Sequence, residues 1–375
     1  MRPKVGLPAG DFLHNRSQKG LSLIVIGIDP HKSSHTATAV DPATNVGLGS
    51  LRIRSTEPEY HALLEWATRW PEHRWAVENA KGLGHHLALW LVGQGESVVD
   101  VPSTATARVR QLSRGGRRKN DRIDAAAAAC VAALQGDERP VFCEDYTSVL
   151  RVLDERRRSL LSAKSRLVNQ LHAILRQLLP GGADVDLDSD KASLLLRKFV
   201  PTTPTDVMRH QIALELVGDL RRCDVQLADI SERTEITLAE CGSTLTTIFG
   251  CGPVTAGRII ARTGNPFRFA TEAAFATYSG TAPVQIASAD SNRHRLSRDG
   301  HRVLNSAIHV IAVCQGRNAN SPGYAYVNQK IEGGMTRRSA MRCLKRQVAK
   351  KVWRTMCQDH RRWEAREQLT ELTAG

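Results

Sequence analysis

The segment Leu21–Asp29, LSLIVIGID, constrains the fold of this chain more than any other. Nearly every residue in it is aliphatic, which is the pattern of a buried strand. It closes on a carboxylate, Asp29, at the strand's C-terminal end, where α/β folds place their functional groups. His35–Asp41 (HTATAVD) follows with β-branched alternation and pairs with that strand as a hairpin. Arg74–Glu78 (RWAVE) is a third short strand, Gly84–Leu91 a helix, and Ser97–Val101 (SVVDV) a further strand before Pro102. Asn120–Leu134 (NDRIDAAAAACVAAL) is a helix by its alanine content. Strands alternating with helices predict an α/β domain over residues 21–145. Residues 1–20 are polar, lack the apolar core of a signal peptide, and read as a disordered leader or an over-long start.

The texture changes at Tyr146. Leu150, Leu153, Leu160, Leu167, Leu171 and Leu178 recur at helical spacing until Pro180-Gly181-Gly182 stops the pattern. A polar, Asp-rich stretch runs to Lys191, and His210–Glu240 is a second long amphipathic pattern. Two such helices across a connection predict a helical hairpin or coiled-coil arm over residues 146–244. The remainder, 245–375, is mainly helical. It runs through Ile248–Ile260 (IFGCGPVTAGRII), a helix at Glu272–Tyr278, a loop, a helix at Arg302–Cys314 and a strongly basic helix over Met335–Trp363.

Charge narrows the function. There are 52 Lys and Arg against 38 Asp and Glu, a net charge of +14. A surplus of that size points to a polyanionic partner, with nucleic acid the default and a merely basic surface the alternative. The longest aliphatic run, Leu23–Ile28, is far too short to cross a bilayer. None of the eight cysteines forms a C-x-x-C pair, so a Cys-based zinc site is not expected, and scattered thiols fit a reducing cytoplasm.

Four carboxylates stand out against this basic background. Asp29 and Glu78 each end a strand, while Asp121 and Asp124 are spaced i, i+3 and share one face in the first turn of a helix. Singly, each has a plainer role: Asp29 a turn residue, Asp121 a helix cap. As a set on one α/β framework they suit one or two hard divalent ions, Mg²⁺ or Mn²⁺, of the kind that catalyse phosphodiester chemistry. Just before the helix lies RVRQLSRGGRRK, Arg108–Lys119, half Lys or Arg with two central glycines. It reads as a basic loop for a phosphate backbone, with Arg114, Arg117, Arg118 and Lys119 as contacts, or as a solvated charge run. Arg156 and Arg157 are further contact candidates of the same kind.

Two features of the last region add to this. Ile248–Ala256, I-x-G-x-G-x-x-T-A, resembles a helix–hairpin–helix signature, in which Gly250, Gly252 and Thr255 bring backbone amides close to a phosphate. An ordinary turn between helices is the equal alternative. Ser288 sits among small residues (Ala287, Ala289), with Arg293, Arg295 and Arg298 downstream. An unhindered serine beside cations suits a phosphoryl nucleophile, although a plain loop hydroxyl is the commoner fate.

Taken in order, GIDPHK, AVEN, RKNDRIDA, GCGPVTA, GTAP and RHRLSRDG resemble the insertion-sequence 110-type DEDD transposases, from about residue 22 to 355. That resemblance implies a RuvC-like (RNase H-like) N-terminal domain, a coiled-coil linker and a C-terminal transposase domain bearing a serine. It implies a metal site of Asp29, Glu78, Asp121 and Asp124, matched without substitution. It also implies a serine nucleophile in a P-x-x-x-S-S-G-type loop. Here the loop reads Pro283-Val-Gln-Ile-Ala287-Ser288-Ala289-Asp290, which departs from the pattern at 287 and 289, so Ser288 is the match and Ser291 the fallback. The family's partners are target and donor DNA and a structured bridge RNA. Its working form is a homo-oligomer, a dimer or tetramer, in which the acids of one protomer act with the serine of another. Two other functions fit the residues: a metal-only nuclease of the junction-resolvase type, and a non-catalytic nucleic-acid binder.

Overall fold

The computed structural model describes residues 23–112, 120–134, 139–288, 291–296 and 300–374. The chain divides into two compact units, residues 1–144 and 145–375.

The first unit is built on a five-stranded sheet: β1 (Ile24–Pro30), β2 (Ser34–Asp41), β3 (Val46–Arg54), β4 (His73–Glu78) and β5 (Val98–Val101). Their spatial order is β3-β2-β1-β4-β5. β1, β2 and β3 form an antiparallel meander, and β4 and β5 run parallel to β1. The helices are α1 (Glu57–Ala67), α2 (His85–Gly93), α3 (Ser103–Leu112) and α4 (Asp121–Leu134). This mixed sheet, a three-stranded meander extended by parallel crossovers, is the RNase H-like architecture expected from the sequence. β1 is buried along its whole length, as its aliphatic run requires.

The pleat divides β1 between two cores. Ile24, Ile26 and Ile28 pack with Leu63 and Trp66 of α1 and Leu87 and Leu91 of α2. Val25, on the other face, packs with Val40 and with Ala128, Ala129 and Val131 of α4. Gly27 also belongs to that second face. A Cβ there would stand 1.9 Å from the Ala125 carbonyl oxygen, so glycine alone lets α4 lie directly on β1. The alanine run of α4 provides the matching small surface. This close approach carries the first turn of α4 up to the end of β1.

β3 and α1 have no counterpart in the sequence reading. β3 (VGLGSLRIR) is hidden by its two glycines and by an irregular register at Ala39/Val40. The flexible basic loop expected over Arg108–Lys119 is also corrected in part. α3 carries the chain helically through Leu112, since Arg, Gln and Leu are good helix formers. Arg114, Arg117, Arg118 and Lys119 lie outside the described residues.

Among its described residues the second unit is helical apart from one antiparallel strand pair. Its elements are α5 (Tyr146–Leu178), α6 (Ser189–Lys198), α7 (Pro204–Glu240), α8 (Pro253–Thr263), α9 (Glu272–Tyr278), β6 (Pro283–Ser288), β7 (Ser291–Leu296), α10 (Arg302–Arg317), α11 (Pro322–Glu332) and α12 (Arg337–Ala374). α5 and α7 pack along each other, and at roughly 1.5 Å per residue both run for about 50 Å. Toward one end, α6 closes a small core with Leu171, Leu175 and Val217. At the other end the two helices enter a larger core built from α8, α9, α10, α11 and α12. The Asp-rich stretch expected as a connection thus ends inside a helix, with Asp190 and Lys191 in the first turn of α6. Asp188 caps α6 by accepting from the amides of Asp190 and Lys191.

The loop expected after Tyr278 is the other correction. Residues 283–288 and 291–296 form an antiparallel ribbon that pairs Val284 with Arg295, Ile286 with Arg293 and Ser288 with Ser291. The period-2 alternation of Val284 and Ile286 is the local cause. Among the described residues no helix is long and apolar enough to cross a membrane.

Candidate active site

The sheet register brings two of the four acids together. β1 pairs with β4 through Ile28 and Val77, so Asp29 and Glu78 are the next residues in adjacent strands, at the same edge of the sheet. α4 supplies the other two. Asn120 takes the capping role at its start, accepting from the Arg122 amide at 3.1 Å and, through its carbonyl, from Asp124. Asp121 is thereby released from capping, and its carboxylate meets His31 Nε2 at 3.4 Å and Arg52 Nη1 at 3.5 Å. Asp124 is buried.

Asp29 is buried as well, with His31 Nε2 3.4 Å from its carboxylate. Burial pushes its carboxyl up to about 6 from an ordinary 3.8. His31 opposes that rise, while Glu78, Asp124 and Asp121 add to it. The other three predicted acids therefore all act on Asp29. Glu78 is oriented by Thr106 of α3, whose hydroxyl donates to Oε1 at 2.9 Å.

The turn that follows Glu78 is tight. Asn79 holds a positive φ of 48°, a conformation asparagine tolerates better than most residues. The Asp100 carboxylate accepts the Ala80 amide at 2.8 Å. Gly82 and Gly84 are required because a Cβ would meet Asn79 Nδ2 at 2.3 Å and Val77 Cγ1 at 2.5 Å respectively. This turn fixes the end of β4, and with it Glu78.

The donor set fits a divalent cation. Asp29, His31 and Asp121 each offer a ligand atom within 4.8 Å of the others. A carboxyl pushed up to about 6 by burial and, to a lesser degree, by three other acids is short of positive charge, and a mainly carboxylate donor set of this kind matches hard ions. Sequence reading missed His31, Arg52 and Thr106. The first was visible in GIDPHK, but its contact with Asp121 depends on where α4 lies.

The remaining candidates fall elsewhere. Arg156 is exposed and its guanidinium reaches Gln226 of α7 at 3.2 Å, whereas Arg157 is half-buried, and burial and Arg258 hold its pKa below the usual value. Gly250 answers to packing: at φ 82° its missing Cβ faces Cys314 Cβ at 2.8 Å. Gly252 caps α8, is exposed and has open space around it, with Thr255 half-buried one turn on. Ser288, Ser291, Arg293 and Arg295 take the positions given by the ribbon register, and Arg298 lies outside the described residues.

The ribbon is rooted firmly. Gly280, at φ 64°, packs its Cα against Gly300 so closely that a Cβ on Gly300 would lie 2.2 Å from it. Asn305 of α10 donates from Nδ2 to the Ser279 and Gly280 carbonyls at 2.8 and 2.9 Å. Lys345 of α12, buried, donates to Asn305 Oδ1 at 2.6 Å. The segment Ser279–Gly280, just before the ribbon, is thus tied to α10 and α12.

An RNase H-like sheet with a cluster of acids at the end of its central strand defines a class of metal-dependent enzymes acting on nucleic acid. Comparisons with known proteins narrow this. The family model for the DEDD transposase of IS110 type matches residues 26–180, and that for the IS116/IS110/IS902 transposase family matches residues 242–328. A 44.8 kDa protein of insertion element IS116 from Streptomyces clavuligerus is 26% identical over 385 residues, covering 90% of this chain and 95% of that one. Two structures of T. thermophilus RuvC, one in complex with a Holliday junction substrate, align at 15% and 17% identity. Both give a TM-score of 0.25, over 32% of this chain and 99% of theirs. The chain belongs to the IS110 family of transposases. It is an enzyme that binds DNA and recombines it, and as a DEDD transposase it uses a divalent metal.

Proposed function

We propose that this transposase moves its own insertion sequence by RNA-guided strand cleavage and exchange, through a covalent serine–DNA intermediate. Asp29, Glu78, Asp121 and Asp124 hold Mg²⁺ or Mn²⁺, and Ser288 is the nucleophile. The observation that carries the reading is geometric: Asp29 and Glu78 end adjacent paired strands, and Asp29 and Asp121 share His31 Nε2 at 3.4 Å each. When bound, the metal polarises the scissile phosphate and offsets charge on its oxygens. The residues of this chain do the rest. Thr106 and the Asn79–Gly84 turn hold Glu78, and Asn120 frees Asp121 to face the site.

The Ser288 oxygen attacks phosphorus and the bond to the leaving deoxyribose oxygen breaks, which gives a 5′-phosphoserine link and a free 3′-hydroxyl. The register of the β6–β7 ribbon pairs Ser288 with Ser291. Target and donor DNA pair with a structured bridge RNA, held by the basic surface. The enzyme works in the cytoplasm as a homo-oligomer, a dimer or tetramer, in which the acids and the serine come from different protomers.

A suicide DNA substrate with divalent metal tests this. Wild type should give a covalent protein–DNA product that Ser288→Ala abolishes, that Ser291→Ala leaves largely intact, and that Asp29→Ala or Asp124→Ala also abolishes. Adducts surviving in Ser288→Ala and lost in Ser291→Ala move the nucleophile to the fallback. Metal-dependent nicks without any adduct identify a metal-only nuclease instead.

A further inference from the structure

The acid site has a cationic rim that the sequence does not mark out. The register runs Asp29 to Thr36 to Arg52 straight across β1, β2 and β3. Directly opposed residues point to the same face, so Arg52 shares the face of Asp29, about 10 Å away at two strand spacings. Arg54, two residues on, shares that face about 7 Å further along the strand. α4 packs on β1, β2, β4 and β5 across this face, while β3 packs against α1 on the other. The β3 side of the α4 face is left open to solvent: Arg52 and Arg54 are 65% and 77% exposed, with Ile53 between them buried. Exposed Lys32, in the turn between β1 and β2, and exposed Arg122, beside Asp121, lie at the same end of the sheet.

A cluster of four carboxylates repels a polyanion, and even a bound divalent ion only reduces that repulsion. A strand of phosphates needs fixed positive charge beside such a site to dwell there. Arg52 is well placed to supply it. Its guanidinium is held over the site's edge by Asp121 at 3.5 Å and by the Ser34 hydroxyl at 3.2 Å, so it is oriented before substrate arrives. Arg54 is held by Glu59 at 3.0 Å in the same way.

We propose that the open face of edge strand β3, through Arg52 and Arg54, binds the backbone of the DNA strand being cut and leads it into the carboxylate site. This rests on the reading of that site as the place of strand cleavage. The occupant is DNA because the face is continuous with Asp29, where the scissile phosphodiester must lie.

The test uses the full-length protein with a short duplex DNA of arbitrary sequence and, in parallel, a structured RNA, in salt titrations of affinity. Arg52→Gln/Arg54→Gln should lower the slope of log K against log salt for DNA by about two, at roughly 0.9 per lost phosphate contact. It should leave the RNA slope unchanged, and reduce cleavage of the suicide DNA substrate at least tenfold. Arg52→Lys/Arg54→Lys, which keeps the charge, should retain the slope and so separates charge loss from misfolding. An unchanged DNA slope overturns the proposal. So does an equal fall for RNA, which would make this a guide-RNA surface, or a change in Mn²⁺ affinity alone, which would make Arg52 only a counter-charge for Asp121. Asp29→Ala distinguishes the two readings. If it still cleaves, the acid-site assignment fails, whatever the slopes do.

Discussion

Each unit of this transposase buries aspartates, and two of them, Asp154 and Asp29, are treated in opposite ways. Asp154, on α5, is 4% exposed and fully answered by α8: Arg258 Nε donates to one oxygen at 2.8 Å, and Arg262 donates to the other from Nη2 at 2.6 Å and Nε at 3.0 Å. Asp29 is buried to a similar degree, but its electrostatic neighbours are one half-exposed histidine and three more carboxylates. The first aspartate is a joint between helices. The second is held in a state that folding alone does not favour, which is the mark of a site awaiting a cation. Burial of charge by itself says little about function, and compensation of that charge says a great deal.

The contrast can be broken first at Asp154. Asp154→Ala leaves Arg258 of α8 partly buried without its partner and Arg262 with only the exposed Glu155, and should destabilise the second unit by about 3 kcal/mol. Denaturant unfolding of the full chain measures it. A loss below about 1 kcal/mol would remove the distinction between the two aspartates.

Asp29 should behave in the reverse sense. Its carboxyl titrates near 6 in the folded chain and near 3.8 unfolded, so the folded state binds the proton more tightly. In metal-free protein, stability should therefore fall as pH rises from about 4 to about 6 and stay reduced above that, by roughly 3 kcal/mol at most. Asp29→Asn should flatten that dependence and raise the melting temperature at pH 7 while abolishing strand cleavage. Saturating Mn²⁺ should restore the wild type's stability at pH 7 and not that of the variant. A wild-type pH profile identical to the variant's would show that Asp29 is not under this pressure.

The smallest effect sharpens the comparison at the ribbon. Asn305→Ala removes two hydrogen bonds to the Ser279 and Gly280 carbonyls and leaves Lys345 without its acceptor. It should cost about 1–2 kcal/mol of stability. It should lower protein–DNA adduct formation well beyond that loss, because Ser288 depends on the ribbon's root for its placement. Adduct yield that tracks stability alone would confine Asn305 to a structural role.

Some of this was plain in the chain before folding. The aliphatic run of β1, the hairpin to β2, the alanine-rich α4 and the two long helices α5 and α7 follow from local periodicity, and the structure has all of them. The four acids were legible because each sits at a recognisable strand end or helix start. β3, α1, α6 and the β6–β7 ribbon were missed. For β3 and the ribbon the patterns are short or glycine-bearing, and pairing with neighbours stabilises them. α1 and α6 carry local start signals, Pro58 with Glu57 and Glu59 and the Asp188 cap, that sequence reading passed over.

What the sequence by itself determined, then, is which residues can bear chemistry: the acids, the serines and the cations, each announced by residue type and position in a motif. Only the tertiary structure decided which of them meet. His31 and Arg52 come from separate strand ends and touch Asp121 because Gly27 lets α4 settle on β1, and Gly250 serves packing against α10. The physical reason is one of range. Hydrophobic periodicity acts over a few residues and shows in the string, whereas charge compensation depends on contacts between residues up to a hundred positions apart, which exist only once the chain has folded.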